Sequence, residues 1–223
     1  KIMRFTGTYD QDQLLDESLP ITWRHINKLA GCGALGDLGS HLLSISQFIM
    51  GDITKVNAVA TTVFPKRPKS AGSTEMVDVE NEDIMTFMAE YANGAIGQIA
   101  CSRVATGRKN YLTYEIQGTK GSVRYDLERM GEVQVYFQSD NERDRGFRTV
   151  LLNPLMKGYS AFQPAGGISI AYNDMKILEV HALFDAITNG ADYVTDFEFG
   201  YKIDRSVAAV IESSKTHEWV DVK

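Results

Sequence analysis

The chain has 223 residues and a formal charge of -6, enough length for one substantial hydrophobic core. That balance excludes a general electrostatic grip on nucleic-acid phosphates, because the one basic cluster, Lys66, Arg67 and Lys69, is interrupted by Pro65 and Pro68 and reads as a solvated loop. No apolar run is long enough to span a bilayer, the polar start Lys1 to Arg4 is unlike a signal peptide, and Cys32 and Cys101 lie far apart outside any CxxC pattern, which fits free thiols in a reducing, cytoplasmic compartment.

In chain order, residues 2–9 alternate apolar with polar or small side chains and predict a first strand. The polar stretch 10–18 leads to Pro20 and crosses the surface before Trp23. Leu38, Leu42, Ile45 and Ile49 recur at helical spacing after a glycine-rich turn, and Gly51 supplies a stop after Met50. The period then changes to two. Strands are predicted over 56–64, over 84–91 and 95–103 around an Asn93-Gly94 hairpin, over 112–117 and 122–127, and over 133–137 and 147–151, with 65–80 a long polar connection. Two helical stripes follow, Ile177, Val180, Phe184 and Ile187 before Asn189-Gly190, then Ile203, Val207, Val210 and Ile211.

The pattern predicts an α+β fold: a meander forming a largely antiparallel open β-sheet, covered on one face by those two later helices. Met85, Phe87, Tyr91, Tyr114 and Tyr125 are assigned to the other face, so a partner subunit is expected there, with the loop 152–172 as the alternative cover.

The sharpest chemical feature is Asp37-Leu38-Gly39-Ser40-His41, where a carboxylate and an imidazole sit one helical turn apart. Two readings stand. The pair suits proton abstraction from an alcohol, Asp37 selecting the tautomer and stabilising the protonated ring; equally, Asp37 serves as a helix cap and His41 as a structural hydrogen-bonding group. A metal site needs a further ligand, for which His25 or His181 would have to be brought in, and none is predicted. The string Gly31-Cys32-Gly33-Ala34-Leu35-Gly36 matches GxGxxG without the preceding buried strand of a dinucleotide fold, and its small residues are read as room for a flat ligand and for close backbone approach.

Trp23-Arg24-His25 followed by Ala30 to His41 resembles the signature of the Gfo/Idh/MocA oxidoreductases, with further similarity at 102–107, 115–122, 172–174, 184–187 and 207–213. The resemblance implies a C-terminal domain of the dihydrodipicolinate reductase-like type spanning 1–223, with substrate-binding and oligomerisation roles. It also implies a preceding Rossmann domain outside this chain that mainly binds NAD or NADP and supplies a lysine in a Glu-Lys-Pro setting. The implied reaction is hydride transfer between a sugar or cyclic polyol hydroxyl and nicotinamide, with His41 as proton acceptor and Asp37 tuning it. Ser44 stands where relatives often carry an aspartate, a departure that removes a charge near the pair. Trp23 and Arg24 are assigned to the cofactor, and Arg103, Tyr159, Tyr172 and His181 to the substrate, each also open to a plain packing or ion-pairing role. A homodimer or homotetramer through the open sheet face is expected. The alternative is a noncatalytic carbohydrate-sensing or assembly module.

Overall fold

Side-chain alternation in β1 (Ile2–Asp10) decides the centre of the fold: Phe5, Gly7 and Tyr9 are buried on one face while Arg4, Thr6 and Thr8 turn to the other. The computed structural model describes residues 1–156 and 158–223. After β1 come α1 (Asn27–Ala30), α2 (Ser40–Met50), β2 (Ile53–Thr61), the short β3 (Lys66–Pro68) and β4 (Met76–Asp78), β5 (Ile84–Tyr91) and β6 (Ile96–Ser102). They are followed by β7 (Tyr111–Gly118), β8 (Gly121–Asp126), β9 (Glu132–Phe137), β10 (Arg148–Leu151), α3 (Tyr172–Asn189), α4 (Phe197–Thr216) and β11 (Val220–Asp221).

The main sheet runs β10-β9-β8-β7-β1-β6-β5-β2-β11. The α+β class and the largely antiparallel open sheet are as expected, but the sheet is not a meander. β1 is inserted at its middle, antiparallel to β7 and parallel to β6 with Arg4 opposite Ile96 and Asp10 opposite Ser102. Strand patterning specifies a face, not a neighbour, so local sequence carried no sign of this insertion. The Asn93-Gly94 hairpin forms as read, with Gly94 at φ +79° and the Ala95 amide donating to Asn93 Oδ1.

The cover differs from the sequence expectation. α2 and α4, not α3 and α4, pack over the sheet, with Leu42, Leu43, Ile203 and Val210 meeting Phe5, Val56, Phe87 and Ile99 in one core. Gly7 permits this approach, since a Cβ there would lie 3.0 Å from Leu42 and 2.8 Å from Phe5. Polar bonds pin the layers: Gln47 donates to Ser206 Oγ at 3.1 Å, and the Ala58 amide donates to Ser213 Oγ at 2.9 Å. In α3, by contrast, Ile177, Val180, Phe184 and Ile187 are all exposed.

The residues assigned to the uncovered face are also misplaced by the sequence reading. Met85, Phe87 and Tyr91 are buried beneath the helices, and Tyr114 stacks on Phe5. The open face instead carries Arg4, Thr6, Thr8, Gln98, Glu115 and Arg124. Nor is 65–80 a plain loop: β3 and β4 pair within it, and Arg67, read as solvated, is fully buried and donates to the carbonyls of Leu14 and Asp16. Among the described residues no helix is long and apolar enough to cross a membrane.

Candidate active site

The site begins in the glycine-rich turn before α2. Glu82 accepts from the Gly33 and Leu35 amides, each at 2.9 Å. A Cβ on Gly33 would fall 1.9 Å from the Glu82 carbonyl oxygen, so only glycine lets the turn reach this strand-edge backbone. These glycines serve protein packing. A carboxylate already occupies the amide donors that a phosphate would need, so the GxGxxG string is no phosphate cradle.

The locked turn continues as a π-helical turn, Leu35–Gly39, into α2, presenting Asp37 and His41 from successive turns. Asp37 Oδ2 lies 3.1 Å from Arg103 Nη2 and 3.6 Å from Arg24 Nε. Arg103 follows β6 and its side chain is only 5% exposed, so this is a held pair, whereas the Arg24 contact is more open. No hydrogen bond joins Asp37 to His41 among the described residues. The carboxylate acts on the ring through its field instead.

His41 stays exposed on one side, yet desolvation of the rest of its ring lowers its pKa from the ordinary value; Asp37 opposes that shift and the Lys176 ammonium reinforces it. The result is an imidazole biased toward its neutral, proton-accepting form. Tyr9 meets the ring edge-on at 5.8 Å between centroids. Burial raises the Tyr9 phenol, which donates to Asn110 Oδ1 at 2.7 Å and stays a neutral donor.

These groups open on a cavity of about 810 Å³ between the sheet and α3. Tyr9, Tyr114 and Tyr125 form its sheet wall, His41 and Ile45 its α2 edge, and Tyr172, Met175, Lys176 and Glu179 its α3 edge. Lys176 Nζ donates to Glu179 Oε2 at 2.7 Å and sits 5.7 Å above the Tyr172 ring. An aromatic wall with a few fixed polar groups suits a compact polyhydroxylated ligand with apolar ring faces.

Of the residues singled out from sequence, His41, Tyr159 and Tyr172 share this cavity. Arg103 and His181 do not. Arg103 is turned under the turn to hold Asp37, and His181 is exposed nine residues beyond Tyr172 along α3, about 13 Å of helix rise away. Trp23 is 54% exposed with the Arg24 guanidinium 4.6 Å over its ring, a flat cationic surface beside Asp37. Sequence reasoning missed Asn110, Lys176 and Glu179. Asn110 precedes β7, and Lys176 and Glu179 share one turn of α3; no local spacing links any of them to His41. Among the described residues no group of three or more His, Cys, Asp or Glu is gathered to hold a metal ion.

Comparison with known proteins accords with this arrangement. Residues 1–124 match the GFO/IDH/MocA C-terminal domain model. The chain is 38% identical over 235 aligned residues to levoglucosan dehydrogenase of Pseudarthrobacter phenanthrenivorans, covering 100% of this chain and 60% of the relative. Among solved structures, levoglucosan dehydrogenase in complex with NADH matches at TM-score 0.95 and 38% identity, over 100% of this chain and 59% of that one. An NAD binding oxidoreductase from Klebsiella pneumoniae matches at TM-score 0.94 and 39% identity over the same shares, 100% and 59%. The chain thus spans about three fifths of the length of these relatives. The NADH complexes correct one expectation. They align with all of this chain, so assigning the cofactor to a separate domain outside it does not stand. The matched domain, the full-length likeness at 38% identity and the shared architecture carry one conclusion: the chain belongs to the Gfo/Idh/MocA family of oxidoreductases.

Proposed function

We propose that this chain, residues 1–223, is the substrate-binding and assembly domain of a nicotinamide-dependent dehydrogenase acting on a sugar or cyclic polyol hydroxyl. The observation that carries the reading is His41, biased neutral by its surroundings and opening on an aromatic-walled cavity. Levoglucosan dehydrogenase, similar along the whole chain, is known in complexes with NADH and L-sorbose and with NADH and levoglucosan.

In this reading a ring nitrogen of His41 accepts the hydroxyl proton as the carbon–hydrogen bond breaks. Asp37, fixed by Arg103, stabilises the imidazolium so formed, and the buried arginine keeps the carboxylate in one position. Tyr159 and Tyr172 hold the sugar ring against the sheet wall. The exposed Trp23 ring with Arg24 over it fits a planar, anion-bearing cofactor and is assigned to it. When bound, the nicotinamide supplies the hydride acceptor. The open sheet face, with Met88 and Ile96 exposed among its polar groups, is assigned to a homodimer or homotetramer; sedimentation at high protein concentration should give such an assembly, and a clean monomer would contradict it.

The reading is tested by incubating the intact protein with NAD⁺ or NADP⁺ and levoglucosan, L-sorbose, cyclitols and aldoses, following absorbance of the reduced cofactor. Reduction with at least one sugar is expected. Sugar binding without reduction under any condition would favour a noncatalytic sensing module instead.

A further inference from the structure

Asn110, in the loop before β7, lines the same cavity as His41 on the far side of Tyr9. Its orientation is fixed from three directions. Its side-chain Oδ1 accepts from Tyr9 Oη at 2.7 Å and from Gln11 Nε2 at 2.8 Å, and its backbone amide donates to Glu128 Oε1 at 3.0 Å. Tyr9 and Gln11 are both buried, so the two donors that hold the amide oxygen are themselves packed within the protein. With the oxygen saturated, the amide nitrogen is left over, and Nδ2 donates to no described residue.

We propose that Asn110 is a specificity-determining residue whose Nδ2 donates to a substrate oxygen other than the one oxidised. This deepens the dehydrogenase reading and rests on it. The physical basis is preorganisation: a donor clamped by two partners loses little rotamer freedom on binding, and a substrate lacking the matching oxygen forgoes a bond whose ordering cost is already met. Tyr9 then has two tasks, packing edge-on against the proton acceptor and aligning the specificity donor, so one buried phenol sets the spacing between the reacting hydroxyl and the recognised one.

The test is Asn110→Asp in the intact protein. The replacement preserves shape and the oxygen that Tyr9 and Gln11 address, and exchanges the Nδ2 donor for an acceptor. Levoglucosan and its monodeoxy derivatives are compared at pH 8 by reduced-cofactor formation and by calorimetric binding. The wild type should discriminate against one monodeoxy derivative. The variant should lose on the order of tenfold in kcat/KM for levoglucosan, change its ranking of that derivative against the parent, and keep its melting transition. A wild type that turns over levoglucosan alongside a variant with unchanged kcat/KM and unchanged ranking overturns this proposal alone. A wild type that neither binds nor oxidises any of the sugars overturns the dehydrogenase reading and the proposal with it.

Discussion

Helices α2 and α3 bound the same cavity from differently anchored positions. α2 buries Leu42, Leu43, Ser46, Gln47 and Met50 against the sheet and α4, so His41 at its start stands on a fixed base. α3 has no buried residue: Ile177, Val180, Phe184 and Ile187 are exposed, while Tyr172, Met175, Lys176 and Glu179 line the cavity. His41, exposed itself, thus projects from a helix anchored in the core, whereas Tyr172, Lys176 and Glu179 project from an element with little packing in this chain. Rigid placement suits proton transfer, which is sensitive to geometry, whereas recognition tolerates a wall that adjusts.

The two helices should differ most at His41. His41→Ala is expected to lower kcat by about 10² to 10⁴ with the melting transition nearly unchanged, because the ring packs by one edge against Tyr9 and leaves the core intact. Loss of activity only in step with unfolding would remove the distinction. Leu42→Ala should cost about 2–5 kcal/mol of stability in denaturant titration, since Leu42 is fully buried between Gly7 and the core. Tyr172→Ala on α3 should raise KM roughly three- to tenfold with a smaller change in kcat. A kcat effect as large as that of His41→Ala would place α3 in the proton-transfer step. Phe184→Ser, 60% exposed on the outer face of α3, should change the stability of this chain by no more than about 0.5 kcal/mol. A larger loss would mean that this face is covered.

The same two helices mark how far the sequence could be read. Apolar spacing located both, along with the strands Ile84–Tyr91 and Ile96–Ser102, because periodicity reports which side of an element is apolar. It does not report what lies opposite. For that reason the cover was assigned to α3 instead of α2, and the buried Met85, Phe87 and Tyr91 were assigned to the open face. His41 and Asp37 were legible because they are one turn apart in a single segment. Arg103 stands in the sequence with substrate contact and ion pairing both open, and nothing local says that its guanidinium turns inward to Asp37. Asn110 and Lys176 were invisible, as their relation to His41 exists only once β1, β7 and α3 are assembled.

On the proposed function, His41 meets its substrate as a neutral base with a pKa below the ordinary histidine value. The facing charges are Asp37, which raises that pKa, and Lys176, which lowers it. The direct test is kcat/KM of the intact protein against pH, with levoglucosan, for the wild type and Lys176→Gln. A proton acceptor is inactivated as pH falls through its pKa, so the wild-type acid limb should have its midpoint below about 6.5. It should move upward when Lys176 is neutralised. An acid limb at or above 6.5, or one that stays in place in Lys176→Gln, would contradict the account.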